Sequence, residues 1–341
     1  MKVLVDRSGL IWGSFESRIY VRSLSAELAK LATDMTVEFV EPSRPACLHA
    51  RRIARMLKSG EFALFHSLGP MVPADFEGPT LMSIADMSPL IYPKEADRSG
   101  RTFRKYVSAG ARFAKRVIAP SPFVRREFLR MFRFPSRWVD VVVPGEWPPV
   151  SGSTQARTER EQAENVALCV CESKPYKNWR RLIGAFEAAR GKATDGWRLV
   201  MAFVDSIPKE LARSARPAWL EVKLARSADA ISRLYNEAEV FLYPSLYDGF
   251  PYLLVSAMKR GIASVASKTS STKELIKSGA VLIDARNAYD LQKWIGRLLS
   301  SESMRRELSD AAVVEASRFS WPMCALATYD IYRKIAGVGW P

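Results

Sequence analysis

Asp248-Gly249-Phe250-Pro251 is the stretch of this sequence best suited to hold an anion. An apolar run, Val240–Tyr243, is long enough for one buried strand, and Pro244 and Ser245 stop it. The apolar segment Tyr252–Lys259 has no breaker and predicts a helix that Gly261 ends. Residues 262–266 predict a second buried strand. Strand, glycine turn, helix and strand make up the grammar of a parallel sheet. The turn then lies at the carboxyl end of a strand and the amino end of a helix. Unpaired backbone N–H groups and the helix dipole favour an anion there, and a diphosphate suits the place.

Other side chains have two readings each. Lys177, in Lys-Pro-Tyr-Lys-Asn after a strand, is either a surface lysine or a phosphate contact. Asp248 is either a turn former or a site acid. Asp86 follows a strand and either caps the next turn or serves a site. Glu172 is either a site residue or the partner of Lys174 or Arg180 in an ion pair. His66 closes a strand and is either a satisfied structural histidine, the reading favoured, or a catalytic one. The chain has no GxGxxG after its first strand, no GxxxxGKS and no GxSxG elbow. No His/Cys spacing suits a metal.

The elements that must carry these residues alternate strand and helix. In the first half, strands are predicted at 2–6, 35–40, 62–66, 79–85, 116–119 and 138–143. Helices are predicted at 18–31, 49–58, 103–113 and 123–131, and 8–17 reads as a polar, glycine-bearing loop. Proline, glycine and polar residues break the pattern from 144 to 165. The alternation restarts at 166–171 and ends in a helix from Pro322 to Ile335. The reading is α/β: two Rossmann-like doubly wound domains facing a cleft, where ligands of open sheets bind. The boundaries are 1–148 for the first domain, 149–164 for the linker, 165–320 for the second and 321–341 for the closing helix.

At 341 residues and 48% hydrophobic content, the chain has the composition of an ordinary globular protein with two full cores. The start MKVLVDRSGL carries only a strand-length apolar run, which predicts no leader, and no stretch reaches a membrane span. Cys47, Cys169, Cys171 and Cys324 lack CxxC spacing and fit a reduced cytoplasm. The net charge of +15 concentrates at 101–137, where eleven arginines and lysines face the single acid Glu127, with aromatics interleaved. Such a segment is a solvated basic surface, an anionic membrane contact or a nucleic-acid contact. Nothing beyond charge supports nucleic acid.

The segment YPSLYDGFPYLLVSAMKRGIASVAS, 243–267, resembles the nucleotide-sugar signature of glycosyltransferase family 4. That family comprises retaining enzymes of the GT-B fold, and its signature runs P-S-x-x-E-G-F-G-L-P-x-L-E-A-M-A-x-G-x-P-V-V-A-S. Lys174 to Asn178 stands where the family has its diphosphate-binding lysine. RFSWPMCALATYDIYRKI, 318–335, resembles the closing F-S-W and crossover helix. HSLGPMVPADFEGPTLMSIADMSPLIYP, 66–93, resembles the H-D-x-x-P-x-x-Y-P region of mannosyl- and rhamnosyl-transferring members. SPFVRREF and VVVPGEW match the family's helix and pre-linker strand in the first half.

The resemblance implies a GT-B glycosyltransferase with a C-terminal crossover helix. It would move a hexosyl group from a nucleotide diphosphate-sugar to a hydroxyl of a glycan or lipid-linked acceptor in polysaccharide or lipopolysaccharide assembly. It implies catalytic roles for Asp248 and Asp86. It implies donor binding by Lys177, Glu172, Gly249, Phe250, Pro251, Tyr252 and Ser256, with Gly13 in the donor-side glycine loop. No metal or other cofactor is expected. The expected place is the cytoplasm, peripheral at the inner membrane face through 101–137. The chain departs from the family at four places. Asp248 and Ser256 stand for the two glutamates, Cys171-Glu172 for glycine-arginine, and Ala85 for a histidine. These departures leave an alternative, an impaired GT-B protein acting as a binding or regulatory subunit.

Overall fold

The computed structural model describes residues 1–31, 34–69, 71–73, 76, 78–95, 98–149, 165–191, 194–213 and 215–337. Except for Pro149, the predicted linker 149–164 lies outside the described residues. The chain divides into two compact units, Met1–Gly145 with Ser320–Pro341, and Glu146–Phe319.

The first unit carries β1 (Lys2–Asp6), α1 (Gly9–Trp12), α2 (Phe15–Lys30), β2 (Thr36–Val40), α3 (Ala46–Leu57), β3 (Leu64–Ser67) and β4 (Thr80–Ser83). It continues with α4 (Ser88–Ile91), α5 (Arg98–Phe113), β5 (Arg116–Ala119), α6 (Pro122–Met131) and β6 (Val139–Val141). The strands pair in parallel in the order β2-β1-β3-β4-β5-β6. The order turns back between β1 and β3, so the loops after these two strands meet at a topological switch point. The predicted loop 8–17 is a correction: it holds α1 and the first turn of α2. Ser14 caps α2 by accepting the Ser17 N–H at 3.2 Å. The predicted strand 138–143 is shorter, because Ser136–Trp138 winds into a 3-10 turn before β6.

The second unit carries β7 (Val166–Cys171), α7 (Trp179–Ala189), β8 (Arg198–Phe203), α8 (Lys209–Arg213), β9 (Leu220–Leu224), α9 (Ala228–Glu237) and β10 (Val240–Tyr243). Then follow α10 (Tyr252–Lys259), β11 (Ala263–Ser267), α11 (Ser270–Leu275), β12 (Val281–Ile283), α12 (Ala288–Ser300) and α13 (Glu302–Ala316). The sheet order is β12-β11-β10-β7-β8-β9, again parallel. Here the switch point lies between β7 and β10, which is where open α/β sheets hold ligands.

β7, β8, β10 and β11 are buried along almost their whole length; β7 and β10 accordingly read as unbroken apolar runs, while β11 also buries Ser264 and Ser267. Trp179, Leu182 and Phe186 of α7 and Leu291, Ile295 and Leu298 of α12 cover one face of that sheet. Their i, i+3, i+4 and i+7 spacing is that of an apolar helix face turned to a sheet. Gly261 ends α10 at φ +64°, a conformation that glycine adopts without strain. The final helix, α14 (Trp321–Ile335), belongs to the first unit and packs against α2. Ser320 caps it and Pro322 sits in its first turn.

Candidate active site

The switch point of the second sheet brings two loops together. The loop after β7 carries Glu172 and Lys177, and the loop after β10 carries Asp248. Lys177 sits at the end of a short 3-10 turn, Pro175–Lys177. Asn178 follows in the left-handed region, φ 61°, a conformation its short polar side chain tolerates better than most. Its Nδ2 donates to the Pro244 carbonyl at 3.2 Å and the Ala285 carbonyl at 2.8 Å. Asn178 therefore ties the lysine's turn to the ends of β10 and β12. Leu246 N–H donates to the Tyr176 carbonyl at 2.8 Å and closes the two loops on each other.

Lys177 Nζ donates to Asp248 Oδ1 at 2.6 Å and lies 3.7 Å from Glu172 Oε2. Lys177 is 5% exposed, Asp248 2% and Glu172 7%. Burial of this kind weakens screening, so the three charges act on one another strongly. The group carries one positive and two negative formal charges. Glu172 meets Lys177, which is neither of the two partners expected from the sequence, and Arg180, one of those two, pairs with Glu210.

Backbone contacts fix Asp248. Its N–H donates to Ser270 Oγ at 3.2 Å, and Ser271 Oγ donates to its carbonyl at 2.8 Å. Ser270 holds φ 48°, so the first turn of α11 is bent to reach the Asp248 loop. Gly249 is buried, and Phe250 packs edge-on against Tyr252 and Phe319 with ring centroids 4.8 and 5.6 Å away. Pro251 caps α10 without an N–H to offer, and Tyr252 N–H turns back to the Phe250 carbonyl at 3.0 Å. Phe250, Pro251 and Tyr252 form the apolar floor under the turn.

Ser256, expected beside a ribose, is fully buried one turn along α10. Its hydroxyl donates to the Pro148 carbonyl at 2.7 Å. Arg260 donates to Ser256 Oγ, to the Ser256 carbonyl at 3.1 Å and to the Pro149 carbonyl at 3.1 Å. Lys259 adds an ion pair to Glu146 at 2.8 Å. In this structure, Ser256 anchors the segment Glu146–Pro149 to α10.

Asp86 lies in the first unit, after β4, and is 1% exposed. Its Oδ1 accepts from Ser88 N–H at 2.9 Å and its Oδ2 from Ser88 Oγ at 2.5 Å, which caps the start of α4. Burial, then the neighbouring Glu16 carboxylate, push the Asp86 carboxyl up to about 6 from an ordinary 3.8, against hydrogen bonds from Ser88 and Ser14. Sequence reasoning missed Glu16. Its signal was a serine cap, Ser14, with an acid in the first turn behind it.

Gly13 closes α1, where a Cβ would stand 2.4 Å from Ser17 Cβ and 2.5 Å from the Gly9 carbonyl oxygen. The glycine is required there by the close approach of α2. His66 is fully buried between Tyr332, whose hydroxyl lies 2.6 Å from Nδ1, and Ser83 Oγ, 2.8 Å from Nε2. Burial pushes it down to about 3, so the ring is neutral and structural. A second buried histidine, His49, pairs through Nε2 with Asp6 at 2.8 Å, and sequence reasoning did not single it out.

Of the basic segment 101–137, Arg101, Arg104, Lys105, Arg112, Lys115, Arg126, Arg130, Arg133 and Arg137 are exposed on α5, α6 and the turns beyond them. Met131 and Trp138 are exposed among the last of these, at 37% and 40%. Among the described residues, no helix is long and apolar enough to cross a membrane. Nor do three His, Cys, Asp or Glu side chains gather there as a metal set.

The two parallel six-stranded α/β units, one with a lysine-acid pair at its switch point, have the architecture of the GT-B fold expected from the sequence. Residues 153–313, a little under half of the chain, match the family described as Glycosyl transferases group 1. The chain is 24% identical over 308 residues to O-antigen chain mannosyltransferase B of Escherichia coli, covering 84% of this chain and 78% of the relative. It is 26% identical over 339 residues to MMP alpha-(1->4)-mannosyltransferase of Mycolicibacterium hassiacum, covering 91% and 79%. Its fold is similar to that of Alr3699/HepE of Anabaena, solved in complex with UDP and glucose. There the TM-score is 0.70 at 16% identity, over 98% of this chain and 100% of the other.

Proposed function

We propose that this glycosyltransferase moves a mannosyl or related hexosyl group from a nucleoside diphosphate ester to a hydroxyl of a growing glycan, with retention at the anomeric carbon. The bond from that carbon to the β-phosphate oxygen breaks, and a bond to the acceptor oxygen forms. The acceptor's proton leaves with the diphosphate. Lys177 and the amino end of α10 oppose the charge that develops on the departing diphosphate, the kind of electrostatic aid that acts most strongly where water is excluded. Asp248 orients Lys177. Asp86 is the carboxylate on the acceptor side. These groups would meet the diphosphate charge without a metal.

The observation that carries this reading is the 2.6 Å Lys177–Asp248 contact at the switch point of the second sheet. Support for mannose comes from two relatives named as mannosyltransferases, one of them acting on an O-antigen chain. Support for a nucleoside diphosphate comes from the UDP complex of the structural neighbour. The basic α5–α6 face, with Met131 and Trp138 among its arginines, is proposed to rest on the anionic inner face of a membrane that carries the acceptor. The test is a transfer assay with a panel of nucleoside diphosphate hexoses and a lipid-linked glycan. Transfer from one of them is expected, and no transfer with any of them would remove the proposal.

A further inference from the structure

We propose that Glu172 is a specificity-determining residue that makes the site prefer the nucleotide-sugar over the nucleoside diphosphate left after transfer. The inference rests on the donor reading of the Lys177 site given above. Lys177 Nζ lies 2.6 Å from Asp248 Oδ1 and 3.7 Å from Glu172 Oε2, with all three side chains under one-tenth exposed. Glu172 thus places a second carboxylate beside the ammonium that Asp248 already contacts, within a shell where screening is weak.

A phosphate held by Lys177 must feel that charge. The two ligands differ in how much charge they bring. In the sugar ester the terminal phosphate carries one ionisable oxygen. In the free diphosphate it carries a second, whose ionisation lies near neutrality, so the product is about one charge more negative. Glu172 thus penalises the product more than the donor. A buried carboxylate next to the phosphate-binding lysine is costly for ground-state donor affinity, and faster release of the leaving nucleotide is what it gives in return.

The position of Glu172 in the fold is well determined. It follows the last residue of β7, and the next residue, Ser173, is clamped to Asp205 by its N–H and its hydroxyl, both at 2.8 Å. The Lys177 turn is held in place by Asn178. The carboxylate and ammonium therefore face each other across a rigid loop.

The test is calorimetric titration of the full chain with UDP, GDP and the hexose esters of each. Wild type, Glu172→Gln and the charge-keeping Glu172→Asp are compared. Neutral glutamine is expected to tighten the free diphosphate about tenfold and the ester only about twofold to threefold, with aspartate close to wild type. Product inhibition of transfer by the diphosphate should strengthen in parallel. Glu172→Met is a second neutral variant, for use if the glutamine protein does not fold. Equal changes for ester and diphosphate, or none, would overturn the inference while leaving the donor reading intact. If no nucleotide binds any of the proteins, the donor reading fails and this inference with it.

Discussion

Lys177 and Asp248 are separated by 71 positions in the chain, yet their charged atoms lie 2.6 Å apart. The sheet order produces this contact. β7 and β10 are neighbours at the switch point, so the loops at their carboxyl ends share one edge. A lysine that serves a diphosphate should lose that service when its charge is removed. Lys177→Met is expected to lower kcat/KM by about 10²- to 10³-fold. Asp248→Asn keeps the size and loses the charge that orients Lys177, so its loss should fall mainly on kcat. Steady-state kinetics on both variants checks this.

Ser256 gives a sharper prediction because two roles have opposite outcomes. Its hydroxyl donates to the Pro148 carbonyl, and the residue is fully buried. Ser256→Ala is expected to cost about 1 kcal/mol of stability through the lost buried hydrogen bond. If the bond to Pro148 is its whole role, the donor KM should stay within about twofold of wild type. A tenfold rise in donor KM with unchanged melting temperature would instead return Ser256 to the ribose. Arg260→Ala, which removes donors to the Pro148, Pro149 and Ser256 oxygens, should destabilise more than Ser256→Ala.

Asp86 predicts a pH dependence of stability. Its carboxyl titrates at about 6 in the folded chain against 3.8 ordinarily. Between these values the native state holds a proton that the unfolded state has released. Stability therefore falls as pH rises from about 4 to about 6 and is then level, by up to about 3 kcal/mol for this group. Asp86→Asn should flatten that fall, and melting temperatures at pH 4.5 and 7 for the two proteins measure it. The same slope in both would show that the carboxyl is not raised.

The basic face predicts salt-sensitive adsorption. Replacing Arg130, Arg133 and Arg137 with glutamate should abolish binding to vesicles containing phosphatidylglycerol, since each basic residue at such a surface contributes about 1 kcal/mol. Trp138→Ala should weaken binding in a way that added salt does not mimic. Sedimentation with vesicles at two salt concentrations separates the two contributions. Equal recovery of wild type and triple variant would dismiss the membrane face.

Much of the fold was legible because every strand of the second sheet's centre is buried on both faces. Val166–Cys171 and Val240–Tyr243 could hardly be anything else in a chain with helical periods between them. The short helices were hidden. α1, α4 and α11 are too short to show a period, and α11 starts on Ser270 at positive φ, which no pattern announces. In the site, Asp248 and Lys177 were found from their loops, but their pairing was not, because a contact over 71 positions depends on strand order. The role of Ser256 rests on the family resemblance, and its hydrogen-bond partner, the Pro148 carbonyl, lies 108 positions away, beyond any local pattern. Glu16 escapes because it lies in the first turn of α2, within the polar stretch 8–17 that reads as a loop.

The central claim is that the Lys177 loop of the second unit binds a nucleoside diphosphate-sugar. Calorimetric titration of wild type and Lys177→Met with a panel of nucleoside diphosphate hexoses tests it most directly. The account predicts that at least one of these binds wild type and that the same ligand binds the methionine variant about a hundredfold more weakly. Equal affinity in the two proteins, or no binding to wild type by any member of the panel, would contradict it.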